Sequence, residues 1–500
     1  MYKKILGLYK ERGDILVSVM VFAAIATTVT IGLTNWGSSM VSGIRTATGR
    51  EQAFQIAEAG IDYYRWHLAQ FPTDYKDGTT TPGPYYHDFY DKNGTRIGAY
   101  SLTITPPPTG STKVTILATA TTTAYPTLQR SIQVSLAQPS LAQYAVIADD
   151  FLRFGSGTTV YGPISSNKGI HFDGVAYNII SSALATTTDP DNNCTPQPSC
   201  AAVWGVFTQS GTDDPAPPTA LPTRADVFVA GRKVAQPAFP FAGLAVNLSS
   251  LLTLASTGGA CTAPSCWVAS TKSGYYMHMN TNNTFDMYKV NSLTSAPNGC
   301  NDPGQSQWGT WSVGTLSSKI GTYTVPSNGI IFIKDNLWID GTVNGTRVTI
   351  AAADIGQSDP TKYFNITVNN DLLYTNFDGT DVIGLISQNN INVGLVSDND
   401  LTIHAALIAE NGRVGRYSYN GCTVSGTNYS NRSTLTLNGM IATAVRYGFA
   451  YTGSSASCAN VSNGYCTRNL NYDGNLLYSP PPSFPLASTQ YQTVSWKQTK

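Results

Sequence analysis

Nineteen consecutive residues near the start of the chain, Ile15 to Leu33, contain neither a charge nor a proline. As a helix rising ~1.5 Å per residue, the run spans roughly 28 Å, close to the ~30 Å hydrocarbon core of a bilayer. Ahead of it lies a short basic head in which Lys3, Lys4, Lys10 and Arg12 outweigh Glu11. That asymmetry predicts a single-pass anchor with the head on the cytoplasmic side and everything after Leu33 outside. A secretory signal peptide is the competing reading, but its apolar core is usually ~7–15 residues and ends before a non-helical segment.

Here the helical pattern continues. Ala53, Ile56, Ala57, Gly60, Tyr64 and Leu68 fall at the i, i+3, i+4, i+7 spacing of one amphipathic stripe, and the first proline is Pro72. One helix from about residue 14 to 70 is predicted, half of it apolar all round and half with a single apolar face.

Two phrases carry a resemblance. Arg12-Gly13 stands immediately before Asp14 and the apolar run, and Glu51-Gln52-Ala53-Phe54-Gln55-Ile56-Ala57-Glu58-Ala59-Gly60-Ile61 closes the protruding half of the helix. Over its first 70 residues the chain resembles type IV pilins, most closely the PilX-type minor pilins. The resemblance implies cleavage after Gly13 by a prepilin peptidase, methylation of the new amine on Asp14, and packing of the helix against other pilin subunits by the pilus assembly machinery. Ser18 departs from the pattern: pilins usually carry Glu at this fifth mature position, where it is thought to neutralise a neighbour's amine. Asp14 puts a carboxylate on the residue bearing that amine, so charge pairing in the filament core is expected to involve Asp14 and Ser18.

Charged residues make up 12% of the 500, with thirty basic against thirty acidic, about half the usual share of roughly 25%. Nucleic acid is not expected as a partner, because phosphate binding needs clustered Lys and Arg. All eight cysteines follow the apolar run. Their even number and short spacings predict local disulfides Cys194–Cys200, Cys261–Cys266 and Cys458–Cys466 in an oxidising compartment, with Cys300 and Cys422 left over. Zinc is the alternative, but no C-x2-C occurs and no histidine joins a ligand spacing.

After a turn-rich connection at 72–94, Ala99–Thr105, Thr112–Thr123 and Gln129–Leu136 alternate apolar and polar residues. They predict a small antiparallel sheet covered by the helix. Beyond residue 140 a phrase of apolar, any, apolar, any, small, any, apolar recurs. It appears at Leu337/Ile339/Gly341/Val343, Leu401/Ile403/Ala405/Leu407 and Leu435/Leu437/Gly439/Ile441, with an earlier copy at Thr158/Val160/Gly162/Ile164. Short strands between Asn/Gly turns, stacking like residues in columns, predict a β-solenoid resembling a parallel β-helix; a β-sandwich is the alternative. The fold class is therefore mainly β with one long N-terminal helix. Its parts are a prepilin-type leader (1–13), the pilin-like helix (14–70), a small β domain (71–140) and the start of the solenoid (141–188). A disulfide-pinned insertion (189–307), the main solenoid (308–470) and a Pro-rich tail (471–500) follow.

Signs of catalysis are sparse. Tyr275-Tyr276-Met277-His278-Met279 offers soft metal donors, and the pairs Asp189/Asp191, Asp213/Asp214, Asp378/Asp381 and Asp398/Asp400 offer hard ones. None completes a binding loop, so no metal or other cofactor is expected. Asp381, Asp398, Asp400, Glu410, Arg413 and Arg416 are the candidates if the solenoid is a membrane-tethered enzyme acting on extracellular polysaccharide. The expected function is instead a non-enzymatic minor pilin of a type IV pilus or secretion pseudopilus. It would sit in the membrane before assembly and on a surface filament afterwards, at the tip or sparsely placed. There its tyrosines, 28 in all, suit contact with a carbohydrate or host-surface ligand.

Overall fold

The computed structural model describes residues 12–108, 111–191, 201–241, 245–300, 304–452 and 461–499, with side chains at all of these but 12–14, 245–247, 452 and 461–462. Helix α1 runs unbroken over Arg12–Gln70. The chain divides into two compact units. The first comprises α1, the strands up to Leu136, and residues from Thr493; the second comprises essentially all of 137–492.

In the first unit α1 has two characters. Its apolar side chains up to Ile44, among them Ile15, Phe22, Val29 and Met40, are exposed. From Ala53 onward the predicted stripe is buried, with Ala53, Ala57, Tyr64 and Leu68 wholly enclosed. Their cover is a five-stranded sheet: Tyr85–Tyr90, Arg96–Thr105, Val114–Thr122, Gln129–Ala137 and Gln492–Gln498 in spatial order. The strand Val114–Thr122 alternates buried and half-buried residues along its whole length, as a one-sided sheet requires. Gly60 lets the sheet approach: a Cβ there would lie 2.8 Å from the Tyr100 ring. Two strands depart from the expected boundaries. Tyr85–Tyr90 lies in the stretch read as a connection and pairs antiparallel with Arg96–Thr105. The tail read as Pro-rich ends in the strand Gln492–Gln498, whose Trp496 packs edge-on against Phe54 of α1. Nearly all of the second unit, 137–492, is thus inserted in sequence between two strands of one sheet.

The second unit is a solenoid of stacked parallel strands. On one side Ile330–Ile333, Arg347–Ala352, Val382–Ser387 and the second half of Asp400–Ala409 follow rung upon rung in register. The predicted columns form: Leu372 opposes Ile403, Ile403 opposes Leu437, Leu437 opposes Leu470 and Leu470 opposes Val160, all buried. Rung order departs from chain order. Ile441, Ala442 and Thr443 pair with Val146, Ile147 and Ala148, so the first rungs of the sequence stack on the last. Gly341 stands where a strand bends, at φ +105°, with a Cβ position only 2.3 Å from the Met279 carbonyl oxygen. No other residue fits that close approach without strain.

The segment 189–307 is more integrated than an insertion. Val206–Phe207 and Arg232–Lys233 extend the ladder at one end, and Cys266–Trp267 and Gly274–Asn280 extend it at the other. Helix α2 (Ala245–Ala255) joins the Leu141, Leu476 and Phe484 side chains in one buried cluster over Phe332, Ala351, Ile408 and Met440. An outward sheet face that would otherwise be wet and apolar is thereby closed.

Candidate functional site

The residues read as a processing site sit at the start of α1. Gly13 and Asp14 are helical in backbone, their side chains lie outside the described residues, and Ser18 is on an exposed turn of the same helix. Of the predicted disulfides, Cys261–Cys266 is formed. Cys300 and Cys422, the two left over, are bonded to each other across 122 residues of sequence. Cys194 and Cys200 lie outside the described residues, as does Cys458; Cys466 is disulfide-bonded.

The solenoid's flank at Asp400–Ala409 and Asn431–Thr443 presents two polar columns. Thr402, Thr436, Asn469 and Thr159 form one, and His404, Asn438 and Asn471 the other. Asn471 donates to Asn438 at 2.8 Å. Beside them Asp371 accepts from the Thr402 N–H at 2.7 Å, and burial together with the nearby charges of Asp371 and Asp340 raises the Asp398 carboxyl, although Asn370 donates to it.

The acids singled out from sequence are spent on structure. Asp381 is buried and accepts from the backbone N–H groups of Thr346, Thr375 and Asn376. Asp378 caps its own turn at Thr380, Asp398 accepts from Asn370, and Asp214 is paired with Arg232. Asp400 is an exposed residue beside Asn399. Glu410 is partly buried, and that burial pushes its carboxyl up to about 8. His278 hydrogen-bonds to Asp340 at 2.6 Å on the outer face of its strand. Met277 and Met279 face the core, so the strand's alternation separates the soft donors.

A cleft elsewhere in the solenoid has a different make-up. Arg413, Arg446 and Arg153 come from three rungs that the Thr443/Ala148 pairing makes consecutive, and together with Arg468 they line a cavity of about 600 Å³. Among the described residues Asp191 is the one carboxylate in that lining. Arg446 grips it with two parallel hydrogen bonds, Nη1 to Oδ1 at 2.6 Å and Nη2 to Oδ2 at 2.8 Å, and Arg153 approaches Oδ2 at 3.3 Å. Burial alone would raise the Asp191 carboxyl; the hydrogen bonds and charge of Arg446, helped by Arg153, hold it below the usual range. Arg413 donates to the Tyr451 hydroxyl at 2.9 Å and stacks over the Tyr417 ring at 4.2 Å. Its Nη2 is buried without a hydrogen-bond partner. Arg468, nearly enclosed, spends its donors on carbonyls such as Ser156 O at 2.9 Å and on Thr158 Oγ1.

Behind the cleft, His171 is fully buried between Asp173 and Asp189, with contacts of 3.2 and 3.1 Å. Burial opposes its protonation, but the two carboxylates outweigh it and raise the imidazole above its ordinary value. His171, Asp189 and Asp191 bring three potential metal-ligand atoms within 4.8 Å of one another. Arg153 Nη1 occupies that space, 2.8 Å from His171 Nδ1. A guanidinium already supplies the positive charge a cation would bring, so the cluster is an ion-pair network rather than a metal centre. Of the sequence candidates Arg413 and Asp191 line the cleft; Arg416 is wholly buried, donating to the carbonyls of Leu395 and Tyr429. Arg153 and Arg446 carried no local motif, Asp191 was read only as half of an acidic pair, and the rung order unites them.

No family model and no curated protein matches the chain. Among solved structures, it is similar to the crystal structure of competence-associated pilin ComZ from Thermus thermophilus. The identity is 15%, the match covers 90% of this chain and 98% of that one, and the TM-score is 0.27. A superposition so loose says nothing about what either arginine or helix does here.

Proposed function

We propose that the chain is a pilin-like subunit of a type IV filament or pseudopilus, carrying a large non-enzymatic head for surface contact. The supporting observation is the divided character of α1. One continuous helix of 59 residues has its second half sealed against a sheet and its first half bare of any cover. Its most apolar window has a mean hydropathy of 2.3 and no buried share. Leaving Val, Leu, Ile, Phe and Met side chains in water forfeits roughly 1.5–3 kcal/mol each, so such a surface belongs in lipid or against other helices. A signal sequence passes the same hydropathy test, but a helix that runs on into a folded unit favours retention of the segment. A lipid anchor before assembly and a helical filament core after it satisfy the same apolar surface in turn.

Prepilin peptidase, cutting after Gly13, and the pilus assembly machinery are the partners this reading requires. A non-catalytic head is favoured because, among the described residues, the one carboxylate lining the arginine cleft is gripped by arginines, whereas general acid–base work on a glycosidic bond uses two carboxyl groups. A head inserted as one large unit suits a tip or sparse position better than every position of a packed filament. There Asp14 would offset its own amine, and Ser18 would make no demand on a neighbour for charge.

Sheared filaments test the reading. Wild type is expected in them, Gly13→Val is expected to remain in the membrane fraction, and Asp14→Ala is expected to incorporate less than Ser18→Ala. Asp14→Ala combined with Ser18→Glu should recover part of the loss. Equal incorporation of wild type and Gly13→Val would overturn the proposal.

A further inference from the structure

Past Asp14 the first charge on α1 is Arg45. The thirty residues from Ile15 to Ile44 carry none. As a helix they span roughly 45 Å, matching the ~40–45 Å of a bilayer with both headgroup layers. Trp36, 67% exposed, lies roughly 32 Å along that helix from Ile15, at the depth where interfacial tryptophans sit. Arg50 follows Arg45 by about one and a half turns. Gly49 beside it lets the turn at 123–128 close on the helix, since a Cβ there would lie 2.6 Å from the Tyr125 ring. That closure brings Arg130, on the strand Gln129–Ala137, next to Arg50, and the two line a cavity of about 420 Å³ with Glu51 and Phe54. Elsewhere arginines are matched: Arg96, Arg153, Arg232 and Arg446 each meet an aspartate. Among the described residues Arg45, Arg50 and Arg130 have no hydrogen-bond or ion-pair partner, and neither arginine of the cavity pairs with Glu51. The turn at 91–95, at the same end of the sheet, adds the exposed Lys92, while its Asp91 is turned onto the N–H groups of Asn93 and Thr95. The sheet end nearest the apolar half of α1 thus carries a surplus of cations.

We propose that this basic end docks on anionic phospholipid headgroups of the leaflet from which α1 emerges, with Arg45 at the headgroup layer and Arg50 and Arg130 together facing lipid phosphate. A guanidinium holds a phosphate by paired N–H···O bonds, and two unmatched guanidinium groups on one cavity supply such donors. Arg50 stands ~7.5 Å beyond Arg45 along the helix, inside the ~8–10 Å over which a charged surface acts at physiological salt. A lipid is favoured over a soluble anion because the helix bearing Arg45 and Arg50 is the one that spans the bilayer, which fixes their height above it. Docking would hold the first unit against the membrane before assembly. The proposal rests on the membrane-anchor half of the function above and is independent of what the head contacts.

Hydrogen–deuterium exchange on the full chain in nanodiscs tests it, comparing phosphatidylcholine alone with an equal mixture of phosphatidylcholine and phosphatidylglycerol. Amides of the turn at 123–128 should exchange severalfold more slowly in the phosphatidylglycerol discs, and high salt should shrink the difference. Arg50→Gln combined with Arg130→Gln should lose most of it. Circular dichroism and the melting temperature should stay at wild-type values, since neither arginine has a partner within the chain to lose. Replacing Lys3, Lys4 and Lys10 by Gln should leave the difference intact, which separates this site from the basic head. Equal exchange in the two lipids would overturn the proposal. So would an undiminished difference in the folded double variant, or the same protection from inorganic phosphate added to phosphatidylcholine discs. Extraction of the wild-type chain from membranes by alkaline carbonate would overturn the anchor reading, and this proposal with it.

Discussion

Glu410 shows how placement governs a single side chain. From sequence it is one acid among several in a turn; in the structure, burial lifts its carboxyl to about 8. A carboxyl raised from its ordinary ~4.3 costs stability wherever the unfolded chain is ionised and the folded one resists, which is above about pH 4. Glu410→Gln is therefore expected to stabilise the head by roughly 1–3 kcal/mol at pH 8 and to change nothing at pH 4. Chemical denaturation at both values checks this. His171 has the opposite dependence. Its folded value is raised, so its contribution is complete below the unfolded value of ~6.5 and is lost as pH rises through the folded one. Asp173 beside it is lowered despite burial, chiefly by its bond to His171, and contributes above ~3.9 until acid protonates it. Wild type should thus be most stabilised by the pair between about pH 4 and 6.5. His171→Asn should lose most in that window, as melting temperatures across the range would show.

At the scale of elements, α1 was legible because two periodicities were written on one uninterrupted helix. The apolar run and the Ala53-to-Leu68 stripe both appear where expected, and so do the three central strands of the sheet. Tyr85–Tyr90 was not, since proline and glycine crowd the residues before it and its six residues are aromatic and charged rather than clearly alternating. Gly60 tests the seal between helix and sheet: Gly60→Val would drive a side chain into Tyr100 and should cost ~1–3 kcal/mol despite the better helix propensity. The two observed disulfides differ in reach. Cys300–Cys422 closes 122 residues and Cys261–Cys266 closes 5. The chain-entropy relation gives about 5 and about 2 kcal/mol. Replacing the first pair by serine should lower denaturant stability clearly more than replacing the second. Sequence spacing favoured neighbours and had no means of joining Cys300 to a partner in another rung.

For the whole molecule, the solenoid's columns were readable and its rung order was not. Every rung presents similar inward residues, so nothing local says that Ile441 to Thr443 stack under Val146 to Ala148 rather than ending the fold. That one junction creates the arginine cleft, which is why its members looked unrelated in the chain. The same topology places 137–492 between two strands of the small sheet and adds Pro107–Lys113 to the head, so the chain passes four times between the head and the unit that bears α1. A pilin-like role for these parts requires that α1 is retained as a mature N-terminal helix. Mass spectrometry of the N-terminus of protein recovered from sheared filaments addresses it directly. The predicted result is a chain beginning at Asp14 with a methylated amine. A chain beginning at Met1, or one cut beyond Leu33 with the apolar run removed, would contradict it.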